Sequence, residues 1–339
     1  MGLPPSQAVL AQAHGLSGKT MTTQSANEDH AAPEVTVIVV SYNTRALTLK
    51  AIETLYANTH ATAMRVIVWD NASADGSAEA VRDAFPQAEV IASQENLGFA
   101  RANNVVAEMA DTPWLLLLNP DTETHPGAID NILAFAKAHP EAGIVGGRTV
   151  FPDGSLNIAS AWRRITAWSL FTQTTGLARA MPRSDIFNYE AMGGWKRDSV
   201  REVDIVVGCF LLISTELWRR LGGFDQRYFM YGEDADLCLR ARKLGYRPMI
   251  TPDAEIMHLV GASTAKRADK VVAVMRAKAQ LVRDHWSAPM VPVGVAQLWL
   301  WAFARRVGAA ASRDPEQKAR LRQIWDQRGS WLAGFPAAR

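Results

Sequence analysis

Gly232-Glu233-Asp234-Ala235-Asp236 places three carboxylates within four residues, at the start of a stretch with helical periodicity. Repulsion among them is unfavourable unless a helix N-terminus, a cation or a substrate offsets it. Capping accounts for one acid and leaves two. A carboxylate here can accept the proton of an attacking hydroxyl, and charged neighbours raise its pKa toward a value suited to a base. The adjoining Phe224-Asp225 and Tyr228-Phe229-Met230-Tyr231 can wall a sugar site, although core aromatics need no such role. Glu233, Asp236 and Tyr231 are the residues expected on the acceptor side.

Asn119-Pro120-Asp121-Thr122-Glu123 follows four consecutive leucines, so the Asp121 carboxylate is expected at the rim of a rigid sheet, pointing into a cleft. A hard divalent cation on a diphosphate needs only one or two protein oxygens, because phosphate and water complete its shell. The same tripeptide is also a plain turn former. Asp70, in Asp70-Asn71-Ala72-Ser73, can accept a hydrogen bond from a pyrimidine N–H or a ribose hydroxyl, or can close an Asx-turn. The segment from Asn96 to Asn104 opens a helix where free N–H groups and Arg101 can meet a phosphate; Arg101 as a solvated helix residue is the plainer alternative. His258 is one of seven histidines, and an imidazole is an acceptable manganese ligand beside oxygen donors.

These groups need a scaffold that gathers the ends of separate segments. From Val35 onward, short β-branched runs alternate with longer amphipathic stretches, the pattern of a mostly parallel sheet covered by helices. Strands are expected at 35–40, 65–69, 89–92 and 114–118, with two more near 143–149 and 248–251. Helices are expected at 45–57, 77–85, 99–109, 127–138 and 233–244, with one starting at Thr215. Polar residues gather at the carboxyl ends of these strands, where open α/β sheets bind ligands.

Residues 1–32 carry no basic region followed by an apolar one and are expected to be disordered rather than a signal peptide. Residues 151–202 lose periodicity and carry three tryptophans, as an irregular insert does. Residues 265–339 read as a helical, basic, tryptophan-bearing extension, suited to lying on an inner membrane face or to packing on the rest of the chain. Its uncharged run, 287–304, is broken by Pro289, Pro292 and Gly294. Cys209 and Cys238 lack metal-ligand spacing and are expected as buried thiols of a cytoplasmic protein. With 36 basic and 34 acidic side chains, nothing in the bulk charge asks for nucleic acid.

Taken in order, Val39-Val40-Ser41-Tyr42-Asn43, Asp70-Asn71-Ala72-Ser73, Asn96-Leu97-Gly98-Phe99-Ala100, Leu118-Asn119-Pro120-Asp121 and Gly232-Glu233-Asp234-Ala235-Asp236 resemble family-2 glycosyltransferases of the GT-A fold. Within that family they resemble the bacterial rhamnosyltransferase-like and galactofuranosyltransferase-like members. The resemblance spans residues 35–260 and implies a catalytic domain over 33–264. It implies that Ser41, Asn43, Asp70, Asn96 and Arg101 line the nucleotide diphosphate of a sugar donor. Asp121 and His258 are implied as ligands of Mn2+ or Mg2+, and Asp234 as the base of an inverting transfer to a glycan or lipid-linked saccharide. The usual first carboxylate of the Asp-x-Asp motif is Asn119 here, which retains hydrogen-bonding capacity for donor hydroxyls. That variant resembles rhamnosyltransferases, so dTDP-rhamnose is the expected donor, with a UDP-sugar the alternative, in bacterial cell-surface polysaccharide synthesis.

Rival readings fit less of the chain. A sugar nucleotidyltransferase needs a glycine-rich basic loop after the first strand, and Ser41-Tyr42-Asn43-Thr44-Arg45 supplies none. No Gly-x-Gly-x-x-Gly follows a strand, against a dinucleotide oxidoreductase. A non-catalytic nucleotide-sugar-binding subunit of a glycan-assembly complex would have no need of Asp121, Asp234 and His258 together.

Overall fold

The computed structural model describes residues 32–259, 267–309 and 314–336. The first half is built from β1 (Val35–Ser41), α1 (Arg45–Asn58), β2 (Met64–Asp70), α2 (Ser77–Ala84), β3 (Glu89–Ala92), α3 (Gly98–Glu108) and β4 (Trp114–Leu118). Then come β5 (Thr122–Thr124), α4 (Ala128–Ala138), β6 (Ile144–Val150), β7 (Leu156–Asn157) and β8 (Ala161–Trp162). Next are α5 (Ala167–Thr175), α6 (Leu177–Ala180), β9 (Arg201–Glu202), β10 (Ile205–Val206) and β11 (Phe210–Ser214). The chain continues through α7 (Thr215–Leu221), α8 (Glu233–Lys243), β12 (Met249–His258) and α9 (Arg267–His285). It ends with α10 (Val291–Gly308), α11 (Pro315–Asp326) and α12 (Arg328–Leu332).

The main sheet runs β3-β2-β1-β4-β11-β6-β12-β5, with β7 on β6 and β9 on β12. Its β3-β2-β1-β4 half is parallel, and β11 enters antiparallel between β4 and β6. The strand order reverses beside β1, so a crevice opens between the carboxyl ends of β1 and β4, the place where open α/β sheets take ligands. The leucines of β4 explain its central position: Leu115 to Leu118 are 0–2% exposed, since a strand covered on both faces has no polar side. Expected strands and helices appear within one or two residues of their expected bounds. The exception is the last strand, which extends beyond Thr251 through an irregularity at Thr251/Glu255 and ends on His258. His258 thus lies on the sheet rather than in a loop after it.

The insert over 151–202 is ordered around one buried cation. Arg197 is fully buried and donates to the main-chain carbonyls of Ile158, Ala161, Ala191, Met192 and Trp195 at 2.9–3.3 Å. Its guanidinium also lies 4.8 Å from the Trp195 ring centre. A planar fork of N–H groups can satisfy carbonyls from several turns at once, which supplements the two-residue ladders of β7, β8 and β9.

The C-terminal helices share a core with the rest of the chain. Tyr228, Ala235 and Leu239 pack with Met275, Ala279 and Val282 of α9, Leu298 and Ala302 of α10, and Trp331. Trp286 Nε1 donates to the Ile165 carbonyl at 3.1 Å, and Arg227 pairs with Asp284 at 2.8 Å. Packing therefore accounts for part of the tryptophan-rich tail. No helix among the described residues is long and apolar enough to cross a membrane. Cys209 and Cys238 are buried free thiols. Of the segment 1–32 expected to be disordered, all but Ala32 lies outside the described residues, as does the expected domain boundary at 264/265.

Arg197→Met should strand the five carbonyls and cost about 3–5 kcal/mol in urea unfolding. Arg197→Lys, with three donors, should recover only part; full stability in Arg197→Met would remove the cation from its organising role.

Candidate active site

Two loops meet at the β1 and β2 ends. Asn43 N–H donates to Ser73 Oγ at 2.9 Å, Asn43 Oδ1 accepts from Ala74 N–H at 2.8 Å, and Asp75 Oδ2 accepts from Arg45 N–H at 3.0 Å. Asn43 sits at φ 52°, a left-handed conformation that asparagine tolerates. Asp70 is 3% exposed; its Oδ2 accepts from Ser73 N–H, while its Oδ1 is buried without a partner. An orphan carboxylate oxygen at a strand end leaves hydrogen-bonding capacity for a ligand. Ser41 departs from its expected role: it is fully buried and its hydroxyl bonds Thr44 and Thr48 at 3.0 and 2.9 Å. It fastens β1 to α1 and presents nothing to the crevice.

The start of α3 is also occupied. Asn71 Oδ1 accepts from Leu97 N–H, exposed Asn96 accepts from Gly98 N–H at 2.9 Å, and the Phe229 carbonyl accepts from Phe99 N–H at 3.0 Å. Three of the N–H groups expected to be free for a phosphate, those of Leu97, Gly98 and Phe99, are therefore taken by protein oxygens. Arg101 lies one turn on and is partly exposed. Gly98 is required: at φ 75°, an added Cβ would lie 2.6 Å from the Phe229 ring and carbonyl. This close approach fixes the Tyr228–Gly232 loop over α3.

At the opposite edge of the crevice, Asp121 Oδ1 lies 3.3 Å from His258 Nε2. The sheet sets this pair, because His258 is in register with Thr122 and Leu259 N–H donates to the Asp121 carbonyl at 3.0 Å. Their side chains are 15% and 9% exposed, and His258 Nδ1 has no hydrogen-bond partner. Burial opposes a charged imidazole at His258, yet the adjoining Cys209 sulfur and the Asp121 carboxylate outweigh it and push the pKa up to about 10. A cation that favours mixed oxygen and nitrogen ligands fits this pair, with Asp121 Oδ1 and His258 Nε2 as its protein donors. Among the described residues no cluster of three or more such ligands exists, so the rest of a shell would come from substrate and water. Asn119 contributes its N–H to the Cys209 carbonyl at 3.0 Å and its own carbonyl to Thr122 Oγ1 at 2.7 Å, leaving its side chain partly exposed beside Asp121.

Between these regions stands Asp234, partly buried at the start of α8. Its Oδ2 accepts from Gly208 N–H at 3.1 Å and its Oδ1 from Ala235 N–H at 2.7 Å. Burial raises its pKa, as suits a base. The preceding turn holds two successive left-handed residues, Tyr231 at φ 73° and Gly232 at φ 94°. A tyrosine in that region is strained, and such strain gathers at functional loops. Lys270 of α9 stands 5.5 Å above the Tyr231 ring.

The other two acids of the cluster separate. Asp236 is 3% exposed and pairs with Arg240 at 2.7 Å and His285 at 2.9 Å, so it ties α8 to α9 and does not face an acceptor. Burial alone would raise its pKa, but His285 and Arg240 hold it below the usual carboxylate value. Glu233 is 5% exposed rather than open to the crevice, and its Oε2 has no partner. Burial and the charge of Asp234 drive its pKa well above the ordinary 4.5.

Sequence reasoning missed Gly208 and Cys209. A glycine between two apolar runs marks close backbone approach, and that was the available signal. It also missed Asn104, whose amide bonds both backbone groups of Phe224 at 2.8 Å and holds the Gly222–Asp225 turn against α3.

The raised pKa of Glu233 has a thermodynamic sign. Above the ordinary carboxylate value the unfolded chain releases a proton that the folded chain keeps, so stability falls as pH rises toward the folded pKa. Glu233→Gln should match the parent near pH 4 and exceed it by about 1–2 kcal/mol near pH 8 in denaturant titrations. Equal stability at both pH values would contradict the burial of an ionisable acid there.

Residues 36–204 match the family model described as glycosyl transferase family 2. The N-acetylglucosaminyl-diphospho-decaprenol L-rhamnosyltransferase of Mycobacterium tuberculosis is 30% identical over 215 residues, 59% of this chain and 68% of that protein. Rhamnosyltransferase WbbL of Escherichia coli is 28% identical over 173 residues, 48% of this chain and 60% of its own length. Among solved structures, the mannosyltransferase PcManGT of Pyrobaculum calidifontis, in complex with GDP-Man and Mn2+, superposes with a TM-score of 0.54 at 20% identity. That superposition covers 97% of this chain and 90% of the other and speaks to the fold alone. A crevice at the β1/β4 reversal, an aspartate at each of its edges and these matches in sequence and fold lead to one assignment: the chain belongs to glycosyltransferase family 2 and has the GT-A fold.

Proposed function

We propose that the chain is an inverting transferase that moves rhamnose from dTDP-rhamnose to a hydroxyl of a glycan or lipid-linked saccharide, in bacterial cell-surface polysaccharide synthesis. The observation that carries this reading is the joining of Asp234 to the Asp121–His258 pair through two consecutive residues: Gly208 N–H binds Asp234, and the Cys209 carbonyl binds Asn119 N–H. Similarity to two rhamnosyltransferases and the Asn119-Pro120-Asp121 form of the motif support the donor sugar.

In this mechanism Asp234 takes the proton of the acceptor hydroxyl as that oxygen attacks the anomeric carbon. Its raised pKa matches it to that proton, and its bond to Gly208 fixes the carboxylate's direction. The orphan Oδ1 of Asp70 accepts the ring N–H of the donor's pyrimidine, and Arg101 faces the diphosphate. Asn119 binds donor hydroxyls. Asp121 and His258 would hold Mn2+ or Mg2+, whose positive charge would supply electrostatic stabilisation for a nucleotide diphosphate leaving group. Glu233, whose pKa burial and the charge of Asp234 raise, sits buried beside the base, and Tyr231 lines the acceptor side.

Asp234→Asn should lower transfer from dTDP-rhamnose by roughly 10²–10⁴-fold while donor binding in calorimetry stays within about threefold. Asp121→Ala should instead abolish the manganese dependence of donor binding. Full turnover in Asp234→Asn would take this residue out of the mechanism.

Metal binding at the pair should displace a proton from His258, because its pKa is raised to about 10. Manganese titrations in buffers of different ionisation enthalpy should therefore report proton release at neutral pH, and none in His258→Gln. Proton release that survives this substitution would place the cation elsewhere.

A further inference from the structure

Helix α10 is apolar on two sides. Gly294, Leu298 and Ala302 turn inward, while Val293, Leu300, Phe303 and Val307 stand 41–56% exposed at spacings of seven, three and four residues. That spacing is one outward stripe of a 3.6-residue helix. Trp299 joins it, stacked on Phe303 with ring centres 5.2 Å apart. Helix α5 lies alongside, tied by Gln297 Nε2 to the Ala167 carbonyl and by Arg305 Nη2 to the Gln173 carbonyl. It adds Trp168 and Phe171, 42% and 44% exposed. Side chains this large, exposed together, mark an interaction surface.

Along α10, α5 and their flanks the charge has one sign, while α11, whose Trp325 ring lies 5.6 Å from Trp299 and 5.7 Å from Phe303, brings both signs to one side of the stripe. Residues 163–183 and 286–312 contain no aspartate or glutamate, and their charged side chains are all arginines. Arg179 stands near enough to Arg305 for its charge, after burial, to lower the Arg305 pKa. A second copy docked on this face by a two-fold axis would set arginine against arginine. A negatively charged lipid surface meets the same arginines with opposite charge and accepts the aromatic and aliphatic stripe at its interface.

We infer that the outer face of α10 and α5 docks on an anionic lipid bilayer, lying in the headgroup region without crossing it. The inference deepens the reading of a lipid-linked acceptor, since it brings the transferase to the surface where such an acceptor is presented, but it rests on this face alone.

The test is co-sedimentation of the full chain with vesicles of phosphatidylethanolamine and phosphatidylglycerol, against vesicles of phosphatidylcholine. The chain should pellet with the anionic vesicles and be released by salt. A Leu300→Glu, Phe303→Glu double variant should lose roughly tenfold or more in partitioning, and Arg306→Ala roughly fivefold, with nucleotide-sugar binding unchanged as the check on folding. Equal partitioning into the two lipids, or undiminished binding of the double variant, would overturn the inference. So would a dimer that the double variant dissociates, which would assign the face to a second copy. A chain that binds anionic vesicles but no nucleotide sugar would uphold the inference while overturning the transferase reading.

Discussion

The site depends on the two-residue step at Gly208 and Cys209, where the chain passes from β10 into β11. Because β11 runs antiparallel beside β4, its first residue faces the last of β4, and Phe210 is in register with Leu118. Residues that precede β11 therefore meet residues that follow β4. Cys209 holds Asn119 through its carbonyl, and its sulfur adjoins His258. Gly208 points its N–H at Asp234, and an added Cβ would press at 3.3 Å on the Phe99 ring of α3 while meeting Asp234 Cβ at an ordinary 3.7 Å. The proton acceptor and the cation ligands come from distant parts of the sequence, and one antiparallel strand in an otherwise parallel neighbourhood brings them to a common backbone.

Around that step, the acids of α8 divide their work by direction. Successive helix positions point about 100° apart, so Asp234 and Asp236, two residues apart, cannot share a face. Asp234 turns toward Gly208, while Asp236 turns toward Arg240 and His285. Asp236 thereby anchors the base-bearing helix to α9, and the common core of Tyr228, Leu239, Met275 and Trp331 extends that anchorage. The C-terminal helices are thus part of what positions Asp234. Glu233 bears the cost of crowding, its pKa driven up by burial and by the charge of Asp234.

Much of this was legible in the sequence where one local rule decides the outcome. Four leucines stopped by Asn119-Pro120 fit a short strand buried on both faces, and apolar runs followed by Asp70 or Asn119 put polar groups at strand ends. What escaped was long-range. The family resemblance implies Ser41 as a binding residue, but Thr44, just before α1, and Thr48, in its first turn, claim its hydroxyl. The start of α3 reads as a phosphate cradle until the Phe229 carbonyl, from 130 residues away in sequence, fills it. Arg197 gave no periodic signal, since its fork of hydrogen bonds to main chain follows no repeat.

The central claim is that one crevice holds a cation on Asp121 and His258 beside, and separate from, the base Asp234. Pulsed electron paramagnetic resonance of Mn2+ bound with dTDP measures this most directly, through the coupling of a ligand nitrogen to the metal. The account predicts an imidazole nitrogen coupling that persists in Asp234→Asn and vanishes in His258→Gln. A spectrum without nitrogen coupling in the parent chain, or one unchanged by His258→Gln, would contradict it.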